Sequence, residues 1–210
     1  MVSLQGWESQ FETFIAAELG GDAVHGLSHI QRVVSNARRL AVQENANLEI
    51  VLPAAWLHDC VSVPKNSPQR SMASRLAATR AGVYLRELGY EEGLIPAIEH
   101  AIAAHSFSAE IPCETIEAQV VQDADRLDAI GAIGIARTLL TGASMGAKLY
   151  HSAEPFATSR PLDDKTYSID HFYVKLLKLE SMIQTDAGKA EAKRRTLFMH
   201  QFLDQLRLEL

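Results

Sequence analysis

A short apolar segment, LEIVLPAAWLHDC, ends in the adjacent pair His58-Asp59. An ionised Asp buried beside an imidazole is costly unless a partner offsets its charge. A divalent metal is one such partner, and imidazole with carboxylate is a common ligand combination. Taken alone, the pair fits a polar helix cap equally well. Two further segments bear on the choice. His29 opens the stretch HIQRVV, and far downstream VVQDADRLDAIG carries Asp123, Asp125 and Asp128 in an otherwise apolar run. Carboxylates this close repel one another and need a counter-charge. Arg126 answers only one or two of them.

The elements that must position these residues read as helices. The 210-residue chain is 47% hydrophobic and 22% charged, with only 7% aromatics. This suits one globular domain with its own core, and abundant Ala and Leu favour helices over sheets. Trp7, Phe11, Phe14, Ile15 and Leu19 recur at helical steps, and Gly20-Gly21 ends that run. Ser28 and Gln31 have capping-box spacing, so the next helix is expected to begin at His29. The segment ending in His58-Asp59 is read as a buried helix with Pro53 near its first turn. VSVPKNSPQ is a loop, followed by helices from about Arg70 to Leu88 and from about Glu92 to Ala104. Thr115 opens a longer helix, which Gly131 and Gly134 either weaken or open to close approach. On that helix Asp123 and Asp125 lie about 200° apart and cannot share a face. The irregular stretch TGASMGAKLYHSAEPFATSRPLDDKTYS has the length of a functional loop or lid. Helices near Ile169 to Thr185 and Ala187 to Leu208 complete the chain.

Several classes are disfavoured. A net charge of -6 argues against nucleic acid or anionic membrane as partner. A small anionic substrate stays compatible, because a bound cation reverses the local field. Two cysteines, Cys60 and Cys113, make no disulfide framework and no CxxC site. The start, MVSLQGWESQ, has no secretory pattern and no stretch suits a membrane span, so a cytoplasmic protein is expected.

HIQRVV, WLHDC and DADRLD, in that order and at these separations, resemble the HD-domain superfamily of metal-dependent phosphohydrolases. The resemblance spans about His25 to Ile135, and DADRLDAIGAIGIAR and FYVKLLKLE resemble a subgroup of small stand-alone bacterial members. It implies an all-α fold: one HD-type helical domain over residues 1–210, its core about 22–140, with C-terminal helices about 169–208. It implies metal ligands His29, His58, Asp59 and Asp125, the last preceding Arg126 and Leu127 as in the family pattern. Asp123 and Asp128 would then orient ligands or pair with Arg126. Two imidazoles and two carboxylates leave room for water on one Mn²⁺, Co²⁺, Ni²⁺ or Mg²⁺ ion, with Asp59 also steering that water. Family members often carry acidic residues after the pair; here Cys60-Val61-Ser62-Val63-Pro64 follows, so no general acid is assigned.

Weaker candidates surround this set. His25 could contact substrate or protonate a leaving group, or be a solvated loop residue. His100 and His105 lack HExxH spacing but occupy a region where some HD proteins bind a second metal. Lys65, Arg70 and Arg75 could hold phosphates or be solvated charges at a helix start. Lys148, Tyr150, His151 and Arg160 could line a lid over nucleotide phosphates. Lys175 is raised by the subgroup resemblance, although pairing near Glu180 explains it and Lys178 adequately. The implied activity is hydrolysis of a nucleotide, preferably a nucleoside or deoxynucleoside triphosphate giving monophosphate and pyrophosphate. An iron-dependent oxygenase on the same scaffold and a catalytically silent nucleotide-binding module are the alternatives. A homodimer is compatible with the C-terminal helices.

Overall fold

A computed structural model describes residues 3–18, 26–61, 63 and 70–210. The expected helix end at Gly20-Gly21, together with His25 and Lys65, lies outside the described residues, as does the Arg70 side chain. The described residues form helices and no strand, which makes the fold all-α. They are α1 (Leu4–Glu18), α2 (Leu27–Glu44), α3 (Leu48–Leu57), α4 (Ala73–Glu87), α5 (Ile95–Ala104), α6 (Ile116–Asp128), α7 (Gly131–Ser144), α8 (Ser168–Val174) and α9 (Asp186–Glu209). Short 3-10 turns precede α4 and α5 and follow α5, and a longer one covers Leu176–Met182.

The chain forms two compact units, one of residues 1–125 and 184–188, the other of 126–183 and 189–210. In the first, α3 is the central element. It packs against α1, α2, α4 and α5, and every residue from Ile50 to Leu57 is buried. That explains a sequence apolar nearly all round: a helix with neighbours on every side has no solvent face. Phe11 and Ile15 of α1, Val33 and Leu40 of α2, Leu85 of α4 and Ile98 and Ile102 of α5 complete this core.

Two boundaries differ from expectation. Helix α2 begins at Leu27, with Gly26 at the extended N-cap position and no side-chain cap. Ser28 thus sits inside the first turn, where the expected capping box cannot form. Pro53 falls in the middle of α3 rather than its first turn. A mid-helix proline cannot donate to the carbonyl four residues back. That carbonyl, on Glu49, instead accepts the Tyr90 hydroxyl at 2.7 Å. Burial raises the Tyr90 phenol to about 12, which keeps it a donor. Tyr90→Phe is therefore expected to cost about 1–2 kcal/mol by leaving the carbonyl unpaired. Urea unfolding checks this, and in a Pro53→Ala background, where the backbone regains an N–H at that position, the cost should shrink.

The long helix expected from Thr115 is two helices. Ile130 is extended and Gly131 has φ +76°, a left-handed conformation that favours glycine. At Gly134 a Cβ would lie 2.3 Å from the Ala129 carbonyl oxygen, so the turn closes only around glycine. The helix expected over 169–185 is α8 followed by the 3-10 segment, where Leu176 and Leu179 are buried three residues apart, the period of a 3-10 turn.

In the second unit the irregular stretch is tightly tied. Arg160 donates to both oxygens of buried Asp170 at 2.6 and 2.7 Å. The Glu154 carboxylate accepts from Thr158, Ser159 and Arg160. Lys148 and Tyr167 form a β-bridge. Among the described residues no helix is long and apolar enough to cross a membrane.

Candidate metal centre

Two histidines reach the centre by the same local device. Helix α3 ends at Leu57 and α5 at Ala104, and His58 and His105 are the residues that follow. His58 Nδ1 lies 2.8 Å from the Ala55 carbonyl, and His105 Nδ1 lies 2.6 Å from that of Ile102. A carbonyl only accepts, so each Nδ1 carries hydrogen and the tautomer is fixed. In the neutral ring, Nε2 is then the free lone pair. His29, in the first turn of α2, presents Nε2 to the same space.

The carboxylates complete the cluster. His29 Nε2 is 3.5 Å from Asp125 Oδ1 and 4.0 Å from Asp59 Oδ2. His58 Nε2 is 3.7 Å from Asp59 Oδ2 and 3.9 Å from Asp125 Oδ1. His105 Nε2 is 3.6 Å from the other Asp59 oxygen, Oδ1. These separations exceed a hydrogen bond. They suit donors that share a cation, since two ligands each about 2.1 Å from one ion lie roughly 3–4.2 Å apart. The histidines are buried and the carboxylates about one-third exposed, so imidazoles form the floor and carboxylates the mouth. Two overlapping ligand groups result: His29, His58 and Asp125, and His58, Asp59 and His105.

The residues fit a divalent cation on a further ground. His58 Nε2 is fully buried and has no hydrogen-bond partner. An unpaired buried nitrogen costs about 1–3 kcal/mol, and a bound cation removes that cost. Protonation is a poor substitute at this position. Burial lowers the His58 pKa and outweighs the pull of Asp59. Burial also opposes charge on His105 and Asp59, but their mutual attraction prevails: His105 is raised, and Asp59 is held below the carboxylate range by His58 and His105. A proton on His105 therefore competes with a cation. Affinity for Mn²⁺ is expected to fall as pH falls through the raised His105 value, and calorimetry across pH should show this slope flattened in His105→Gln.

The remaining candidates have these surroundings. Asp123 faces away from Asp125, as the helix phase requires: it accepts from the backbone N–H of Gln184 and of Thr185 and from the Thr185 hydroxyl. Arg126 donates to the Met182 carbonyl. Asp128, expected to orient a metal ligand or to pair with Arg126, is paired with Arg137, one helix on. His100 Nε2 accepts the Glu114 amide. Arg75 is exposed. Lys148 and Lys175 are exposed and Tyr150 half-buried, all in the second unit. Arg160 is committed to Asp170, and His151 Nδ1 to the Glu154 amide, so neither is a free lid residue. Cys60 is buried, its thiol directed at the Ala77 carbonyl and pushed up to about 12 by burial, which disqualifies it as a replacement acid.

The HD-domain family model matches residues 26–130, a span that contains all five clustered side chains. A Bacillus subtilis protein described as uncharacterized protein YpgQ is 32% identical over 207 residues, covering 96% of this chain and 92% of its own. The chain belongs to the HD-domain family. Its solved relatives extend over the full length. The Bacillus subtilis YpgQ structure in complex with ADP matches with TM-score 0.78 and 33% identity, over 100% of this chain and 97% of that one. A Bacillus thuringiensis HD-superfamily hydrolase matches with TM-score 0.77 and 35% identity, over 99% and 98%. HD-family membership supports a hydrolase, and the His/Asp cluster provides groups able to hold a divalent metal.

Proposed function

We propose that this HD-family member is a metal-dependent nucleotide phosphohydrolase, and within that class a nucleoside or deoxynucleoside triphosphate pyrophosphohydrolase. The observation that carries the reading is a pair of overlapping donor groups, His29, His58 and Asp125, and His58, Asp59 and His105, which share the unpartnered His58 Nε2. The ADP held by the similar YpgQ structure favours a nucleotide as ligand. A divalent cation there, whether Mn²⁺, Co²⁺, Ni²⁺ or Mg²⁺, supplies a more acidic bound water and offsets charge on phosphoryl oxygens.

The chain's own residues do the rest. His29 and His58 Nε2 and an oxygen of each of Asp59 and Asp125 would hold the cation, each imidazole nitrogen lying within 4.0 Å of both carboxylates. Asp59 Oδ1 faces His105, which is a candidate for contact with an anionic phosphoryl oxygen. The Asp59 carboxylate is held ionised and can orient the attacking water. In the net reaction the water oxygen joins the α-phosphorus, the bond from that phosphorus to the bridging oxygen breaks, and pyrophosphate leaves. His25 is the candidate proton donor, and Lys65, Lys148, Tyr150 and Lys175 are candidates for phosphate contacts.

Metal-free protein, given each cation in turn with a panel of nucleotides and read by anion-exchange chromatography, tests this. The expected result is metal-dependent monophosphate plus pyrophosphate, absent in His58→Ala and Asp125→Ala. Intact triphosphates with every cation would overturn it. Dioxygen consumption with Fe²⁺ would instead favour the oxygenase.

A further inference from the structure

The second unit contains a groove of about 370 Å³ between the 3-10 segment Leu176–Met182 and the part of α9 from Lys189 onward. Its two walls have opposite hydrogen-bonding character. Lys189, Lys193, Thr196 and His200 follow steps of four, three and four along α9, so they line one face. The two ammonium groups on this wall only donate. Thr196 is 5% exposed, and its hydroxyl oxygen is buried without any hydrogen-bond partner. An unpaired hydroxyl in such a place is costly, and its hydrogen calls for an acceptor. Across the groove, the 3-10 segment offers acceptors. Glu180 presents a carboxylate, and Ser181 has already directed its hydroxyl hydrogen to the Lys178 carbonyl at 2.8 Å, leaving lone pairs.

A ligand that satisfies both walls carries an anionic group for the lysines, His200 and Thr196, and hydroxyl donors for Glu180 and Ser181. We infer that this groove is a binding site for a phosphate monoester of a polyol, separate from the metal centre. Glu180 matters to the class: a second anionic group beside it would be repelled, whereas a sugar hydroxyl is accepted. Inorganic phosphate satisfies only the donor wall and binds more weakly. The volume lies in the range of small-molecule sites.

The inference is tested on full-length, metal-free protein, so it is independent of any phosphohydrolase activity. Ribose 5-phosphate, adenosine 5′-monophosphate, inorganic phosphate and ribose are titrated separately while the His200 imidazole resonances, assigned with His200→Gln, are followed by NMR. A saturable shift with one or both monoesters is expected, smaller with inorganic phosphate and absent with ribose. The two monoesters separate a sugar phosphate from a nucleotide as the ligand. Lys193→Ala should weaken binding about tenfold, the usual scale for losing one charge-assisted hydrogen bond. Thr196→Val, nearly isosteric, should weaken it as well, while His58→Ala leaves it unchanged. Thermal melting confirms that each variant is folded. No saturable shift with either monoester would overturn the site, and so would a shift that survives both Lys193→Ala and Thr196→Val. Equal affinity for inorganic phosphate would overturn the polyol.

Discussion

His58→Ala is expected to lower metal-dependent turnover by about 10³-fold or more. A cation supplies several kcal/mol of charge stabilisation to the transition state, and each 1.4 kcal/mol or so is tenfold in rate. His58 stands at the middle of the cluster. Its Nε2 faces both Asp59 and Asp125, and its ring lies edge-on to those of His29 and His105. Two readouts separate loss of the cation from loss of the fold. Saturating Mn²⁺ should raise the melting temperature of the native protein, because a ligand that binds only the folded state stabilises it. The same addition should leave His58→Ala unmoved. A variant that still gains thermal stability from the cation would place the ligand set elsewhere.

Asp123→Ala is expected to destabilise the first unit by about 3–5 kcal/mol. Asp123 is fully buried, and both its oxygens accept the Gln184 amide, at 3.0 and 3.1 Å. It also accepts the Thr185 amide and hydroxyl, each at 2.8 Å. Thr185 in turn caps α9 by accepting the Gly188 amide at 3.1 Å. Removing the carboxylate strands two backbone donors and loosens a helix cap, each with a known cost. Asp123→Asn keeps one acceptor oxygen and should lose less. Urea unfolding of the three proteins gives the ordering. Since Asp123 faces away from the metal centre, folded Asp123→Asn should bind Mn²⁺ much as the native chain does.

What was legible in the sequence was what helix phase and local chemistry encode. Ala and Leu content and apolar steps of three and four favour helices over sheets, and the resemblance to the HD-domain superfamily implies the all-α fold. The opposition of Asp123 and Asp125 followed from 3.6 residues per turn, and the structure places one on the Gln184-Thr185 backbone and the other beside His29. His105 was only partly legible. It sits just past the end of α5, so the carbonyl of Ile102, not the helix phase, aims its ring. The cue available was an apolar helix that stops at a histidine, shared with His58. The mid-helix position of Pro53 has no local cue, because its compensation, the Tyr90 hydroxyl on Glu49, comes from far along the chain. The break before Gly131 was announced by its glycines but not located, since a left-handed residue depends on backbone geometry that composition does not specify.

The central claim is that His29, His58, Asp59 and Asp125 hold one catalytic cation. Anomalous diffraction from crystals soaked in Mn²⁺ tests it most directly. The account predicts a manganese peak within about 2.0–2.3 Å of His29 Nε2, His58 Nε2 and an oxygen of each of Asp59 and Asp125. A peak that omits His58, or no peak at saturating Mn²⁺, would contradict it.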